Sequence, residues 1–175
     1  MTRGNARELA MHLIYSRGFT GEDPHAAVKT RLEEEYYAHL AEENELYAET
    51  PSRRQVKYLD QVVAGVEAEE AELNEIIGAY SIGWDVSRIS RLSRAILQLA
   101  IYEMIHFEDV PDNVAVSEAV RLTKLYDTDS AAFVNGILGS YVRAKQAGNA
   151  AAEEPSASEA EPAVTEAAEP VTEEV

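Results

Sequence analysis

The amino-acid sequence predicts an all-α protein, two small helical lobes packed into one compact bundle and followed by a disordered acidic tail. Three observations carry that expectation. Apolar residues recur at steps of three and four through most of residues 1–147, as in helices with one buried stripe. Alternation with period two, which a half-buried strand requires, is missing over any useful length. From Gly148 onward the chain has no Lys, Arg or aromatic residue and nothing apolar larger than Val, so it cannot bury enough surface to offset the entropy of ordering.

Between Asn5 and Arg17, residues Ala6, Leu9, Ala10, Leu13 and Ile14 form one stripe of a first helix, with Arg3, Arg7 and Arg17 off it. In "GEDP", Asp23 is placed to cap and Pro24 to open a second helix that runs through "HAAVKTRLEEEYYAHLAEE" with Val28, Leu32, Tyr36 and Leu40 inward. "TPS" at 50–52 restarts the pattern for a third helix, with Val56, Leu59, Val63 and Val66 on one side, and helical character continues weakly through "EAEEAELNEIIGAY". "SIGWD" then punctuates the chain. The lobes are therefore assigned to residues 1–80 and 81–147, with the tail from 148 to 175.

The second lobe opens with "VSRISRLSRAILQLAIYEMIHF", whose periodic Ile89, Leu92, Ile96, Leu99 and Tyr102 and nearly all-apolar centre predict deep burial. Pro111 in "EDVPD" ends it, since proline breaks the helical hydrogen-bond ladder. "NVAVSEAVRLTKLY" and "SAAFVNGILGSYVRAKQ" are two further helices, the last with an apolar face of Phe133, Val134, Ile137, Leu138, Tyr141 and Val142. Six or seven helices result.

Composition excludes several functions. The net charge is −17, of which eight tail glutamates supply −8, leaving about −9 on the folded part. Phosphate neutralisation dominates non-specific nucleic-acid affinity, so any RNA contact needs a local basic patch. There is no cysteine, hence no disulfide or thiolate chemistry. The first apolar run is interrupted by Glu8 and His12, so neither a signal peptide nor a membrane span is expected, and a cytoplasmic location is. The four histidines are scattered, without a metal-binding spacing, and no glycine-rich phosphate loop occurs, so neither metal, cofactor nor enzymatic activity is expected.

Surface candidates remain, each with a plainer reading. Arg88, Arg91 and Arg94 at spacing three make a basic strip or simply pair with nearby carboxylates. Arg3 and Arg7 project from the first turns of the first helix. Tyr15 and Phe133 suit stacking on single-stranded bases, or burial in the core.

Three stretches in register narrow the choice. "AREL" with the apolar helix ending in Tyr15, then "AILQLAIYEM", then "VAVSEAVRLTKLYDTDSAAFVNGIL", resemble the NusB family of bacterial transcription antitermination factors over residues 3 to 143. The resemblance implies a compact two-lobed helical protein, monomer or homodimer. It implies pairing with NusE, also a small-subunit ribosomal protein, to recognise boxA, a single-stranded element of nascent RNA, so that RNA polymerase reads through terminators, notably in ribosomal RNA operons. It implies RNA contacts at Arg3, Arg7, Tyr15, Asp129 and Phe133. "DTDS" is then a turn and N-cap, with Ser130 or Asp129 accepting backbone N–H groups, and Asn135 and Gly136 serve packing between helices.

The sequence departs from the family pattern in its sparse N-terminal basic segment, "MTRGNAR", in the absence of a Lys just before Phe133, and in the "EEEYY" and "EENELY" stretches and the tail. A protein-only interaction module or homodimer is the alternative that the net charge favours. The methyltransferases to which NusB-like domains are attached need a catalytic domain for which this chain has no room. The tail is read as a solubilising appendage or as a competitor of RNA for a basic patch.

Overall fold

The computed structural model describes residues 1–83 and 85–153, with side chains to residue 148. Eight α-helices lie among the described residues: α1 Arg3–Thr20, α2 Pro24–Arg31, α3 Glu34–Glu43, α4 Arg53–Ala68, α5 Glu70–Tyr80, α6 Arg91–His106, α7 Asp112–Tyr126 and α8 Ala131–Glu153. Short 3-10 turns sit at Glu45–Tyr47, Val86–Arg88 and Thr128–Ser130. No strand occurs among the described residues, so the all-α expectation holds.

Helix starts follow local chemistry. The Thr2 hydroxyl accepts from the Asn5 N–H at 3.0 Å, and the Asp23 carboxylate from the Ala26 N–H at 2.9 Å. At α4 the cap is Ser52, one residue past the proline, and Gln55 reciprocates by accepting from the Ser52 N–H at 2.9 Å. Gly21, at φ 62°, ends α1 in the left-handed conformation, its N–H on the Arg17 carbonyl.

Four expectations change. The predicted second helix is broken at Leu32 and Glu33, which lets Tyr37, not Tyr36, enter the core: Tyr37 is 4 % exposed and Tyr36 43 %. Tyr37 meets Tyr47 edge to face at 5.2 Å and donates its hydroxyl proton to the Glu49 carbonyl. Val56 faces solvent rather than the core. Ile89 is buried, but from the residue that ends a 3-10 turn, before the helix capped by Ser90 begins. The tail boundary also moves: residues 148–153 continue α8, as expected of an Ala-rich run, and the tail from 154 lies outside the described residues.

α6 is the central helix. Eleven of its sixteen residues are buried, and it packs on α1, α4 and α5 of the first half and on α7 and α8 of the second. One apolar cluster therefore runs through both halves, from Leu9, Leu59 and Val63 through Ile96 and Ile101 to Leu122 and Leu138. At Gly65 of α4, the ring of Tyr102 occupies the space a Cβ would take.

Candidate nucleic-acid interface

Helix α1 crosses the bundle among its neighbours. α2, α4 and α6 pack on it, while the end of α7 meets it through side chains. This enclosure decides the fate of the two arginines. Arg3, in the first turn, is exposed and lies 3.5 Å from the Asp109 carboxylate. Arg7, one turn on, is only 7 % exposed. Its Nε donates to both Glu103 oxygens at 2.9 and 3.0 Å, and the Tyr58 hydroxyl donates to the same carboxylate at 3.0 Å. Arg7 thus does not project toward solvent as its place off the apolar stripe suggested. A buried carboxylate on α6 needs a fixed cation, and Arg7 supplies it. Burial pushes the Glu103 carboxyl upward, against the opposing pull of the Arg7 guanidinium and the Tyr58 hydroxyl.

The network continues between α1 and α7. Arg121 reaches the Gly4 carbonyl at 3.2 Å and the Glu8 carboxylate at 3.3 Å. Tyr126 donates to the other Glu8 oxygen at 2.7 Å, and His12 Nε2 lies 2.9 Å from the Tyr126 oxygen. The single phenolic proton is engaged by Glu8, so the imidazole carries its proton on Nε2 and donates it to Tyr126. Desolvation holds the His12 pKa below its usual value, partly offset by the Glu8 charge.

Tyr15 lies twelve residues beyond Arg3, about 18 Å along the helix axis, and lines a groove with Val63, Val66, Arg91 and Arg94. Tyr15 is 37 % exposed and meets Phe19, 63 % exposed, edge to face at 5.2 Å. The Arg91 guanidinium stacks over the Phe19 ring at 4.6 Å and donates to the Gly18 carbonyl. Neither Arg91 nor Arg94 forms an ion pair within 4 Å among the described residues, although Glu67 and Glu70 line the same groove.

Asp129 is exposed on its 3-10 turn. Phe133, four residues on, is half-buried and packs against the apolar core. The residue that organises "DTDS" is neither Asp129 nor Ser130 but Asp127. Its Oδ2 accepts from the hydroxyls of Ser130 at 2.7 Å, Ser93 at 3.0 Å and Ser90 at 3.3 Å, tying the start of α8 to the start of α6. Those bonds, Ser130 first, hold the Asp127 carboxyl below the usual carboxylate range. Asn135 and Gly136 also depart from expectation. Both are exposed, and a Cβ at Gly136 would meet nothing within 4 Å, so no helix packs there.

The structure therefore sets Asp129 on the turn before α8 and Phe133 in the first turn of α8, and Arg3 and Tyr15 at two grooves along α1. Sequence reading passed over Phe19, Arg54 and Lys57. The i, i+4 spacing of Tyr15 and Phe19 and the i, i+3 spacing of Arg54 and Lys57 were the available signals.

A protein-family model described as the NusB family matches residues 4–143. The chain belongs to the NusB family. It is 39% identical over 155 residues to the transcription antitermination protein NusB of Symbiobacterium thermophilum, covering 88% of this chain and 97% of that relative. With the NusB of Acetivibrio thermocellus it shares 38% over 146 residues, 83% of this chain and 91% of the relative. The fold is also that of solved NusB structures. T. maritima NusB superposes with a TM-score of 0.66 at 24% identity, over 80% of this chain and 89% of that one. The solution structure of NusB from Aquifex aeolicus gives 0.58 at 23%, over 92% and 97%. The NusB match spans both sequence-assigned lobes and stops within α8, leaving the glutamate-rich segment outside it.

Proposed function

We propose that this NusB-family chain is a cytoplasmic, non-enzymatic transcription antitermination factor. With NusE it binds boxA-type single-stranded RNA in nascent transcripts, such as those of ribosomal RNA operons, and promotes read-through by RNA polymerase. The observation that carries the reading is the family match over residues 4–143, joined to relatives that are themselves transcription antitermination proteins. The surface supports it: Arg3, Tyr15 and Asp129 are exposed, and aromatic and cationic side chains meet at the end of α1 in a chain whose net charge is strongly negative. Phe133 stands half-buried in the first turn of α8, and Arg7 acts by fixing α1 on α6 rather than by touching RNA.

The test is fluorescence anisotropy with a boxA-like strand and a scrambled control, with and without NusE, at two salt concentrations. Preference for the boxA-like strand that strengthens with NusE is expected. Equal binding of both strands in every condition, with folded NusE present, refutes the reading.

A further inference from the structure

A second groove, of about 390 Å³, lies between the start of α1, the start of α4 and the chain joining α6 to α7. Its floor is aromatic, Tyr58 against Phe107 edge to face at 5.5 Å, above the Arg7–Glu103 pair. Its rim carries three cations, Arg3, Arg54 and Lys57, against one exposed carboxylate, Asp109. A single Asp109 oxygen is shared by both guanidiniums, 2.9 Å from Arg54 and 3.5 Å from Arg3. Lys57 has no carboxylate partner among the described residues.

We propose that this groove is a phosphate site for the RNA backbone, in which a phosphate of the bound strand displaces Asp109 from between Arg3 and Arg54 and is joined by Lys57. The inference rests on the RNA-binding reading above and extends that interface from Arg3 onto α4. Each guanidinium has five N–H donors and here spends one on Asp109, so most of the donor capacity is unused. A backbone phosphodiester offers two non-bridging oxygens to the groove, where Asp109 presents a single oxygen to both guanidiniums, and so permits a separate contact to each arginine. With three cations against one rim carboxylate, the site attracts anions to a chain whose net charge of −17 repels them elsewhere.

The experiment measures binding of the boxA-like and scrambled strands to the full chain with NusE across a salt series, for the wild type, the double variant Arg54→Gln/Lys57→Gln and Asp109→Asn. The groove assignment expects the double variant to lose about tenfold affinity for both strands alike at low salt. Its slope of log K against log salt should be shallower by about 0.7 per phosphate released. Asp109→Asn, which removes the internal competitor, should tighten binding severalfold. A double variant with wild-type affinity and slope overturns the groove assignment while leaving the RNA reading intact. A wild type that binds neither strand overturns the RNA reading itself. Arginine side-chain NMR signals separate other occupants. If inorganic phosphate, or deletion of residues 154–175, moves the Arg54 signal while RNA does not, the site belongs to a free ion or to the acidic segment and the RNA assignment is wrong.

Discussion

At the scale of single residues, Arg7 shows how a side chain suited to RNA becomes part of the core. Its guanidinium neutralises Glu103, which is 1 % exposed and also holds the Tyr58 hydroxyl. Arg7→Ala leaves a buried carboxylate without its cation and is expected to cost about 3–5 kcal/mol, read by urea denaturation. RNA affinity measured where the variant is still folded should stay near wild type; a large loss there would return Arg7 to the RNA-contacting set. His12 gives a pH dependence. Its folded pKa is depressed, so the unfolded chain binds the extra proton first. The stability it contributes is present above the ordinary imidazole value of about 6.5 and is lost as pH falls below it. Melting curves from pH 7.5 to 5.5 should therefore fall more steeply for the wild type than for His12→Gln; parallel curves would remove His12 as a source.

At the scale of elements, periodicity reported what it can report. The core positions of α1, α4 and α6 were legible because Leu9, Leu13, Leu59, Val63, Ile96 and Leu99 repeat at helical spacing, and all are buried. The break after α2 was not legible, since neither Leu32 nor Glu33 is a helix breaker and only packing reveals that Tyr37 must turn inward. Nor could spacing tell that Arg7 faces Glu103, a residue 96 positions away. Glycines separate the two kinds of information. Gly65→Ala would drive a methyl group into Tyr102, itself wedged against His106 at 4.3 Å between ring centroids, so a loss of about 1–3 kcal/mol in thermal or chemical denaturation is expected. Gly136→Ala is the converse. The added methyl meets nothing and helix propensity improves, so a gain of about 0.5–1 kcal/mol is expected; a loss would mean that α8 is not helical there as described.

At the scale of the whole molecule, the site and the net charge oppose each other. If the chain binds RNA as proposed, specific contacts draw the strand to a few cations while a net charge of −17 repels it from a distance. Seven of the glutamates lie in residues 154–175 with no basic residue among them, so deleting that segment brings the net charge to about −10. Its glutamates lie outside the family match, and removing them leaves Arg3, Tyr15, Asp129 and Phe133 in place. Long-range repulsion acts mainly on encounter and is screened beyond a Debye length of about 8 Å at physiological ionic strength. Deletion should therefore raise the association rate for boxA-like and scrambled strands alike, severalfold at low salt, with the difference fading as salt rises and the ratio between the two strands unchanged. Stopped-flow binding across a salt series measures both quantities. A change in the boxA-to-scrambled ratio would mean that the segment touches the specific site, and an association rate indifferent to the deletion would mean that its charge is too far from the RNA path to act.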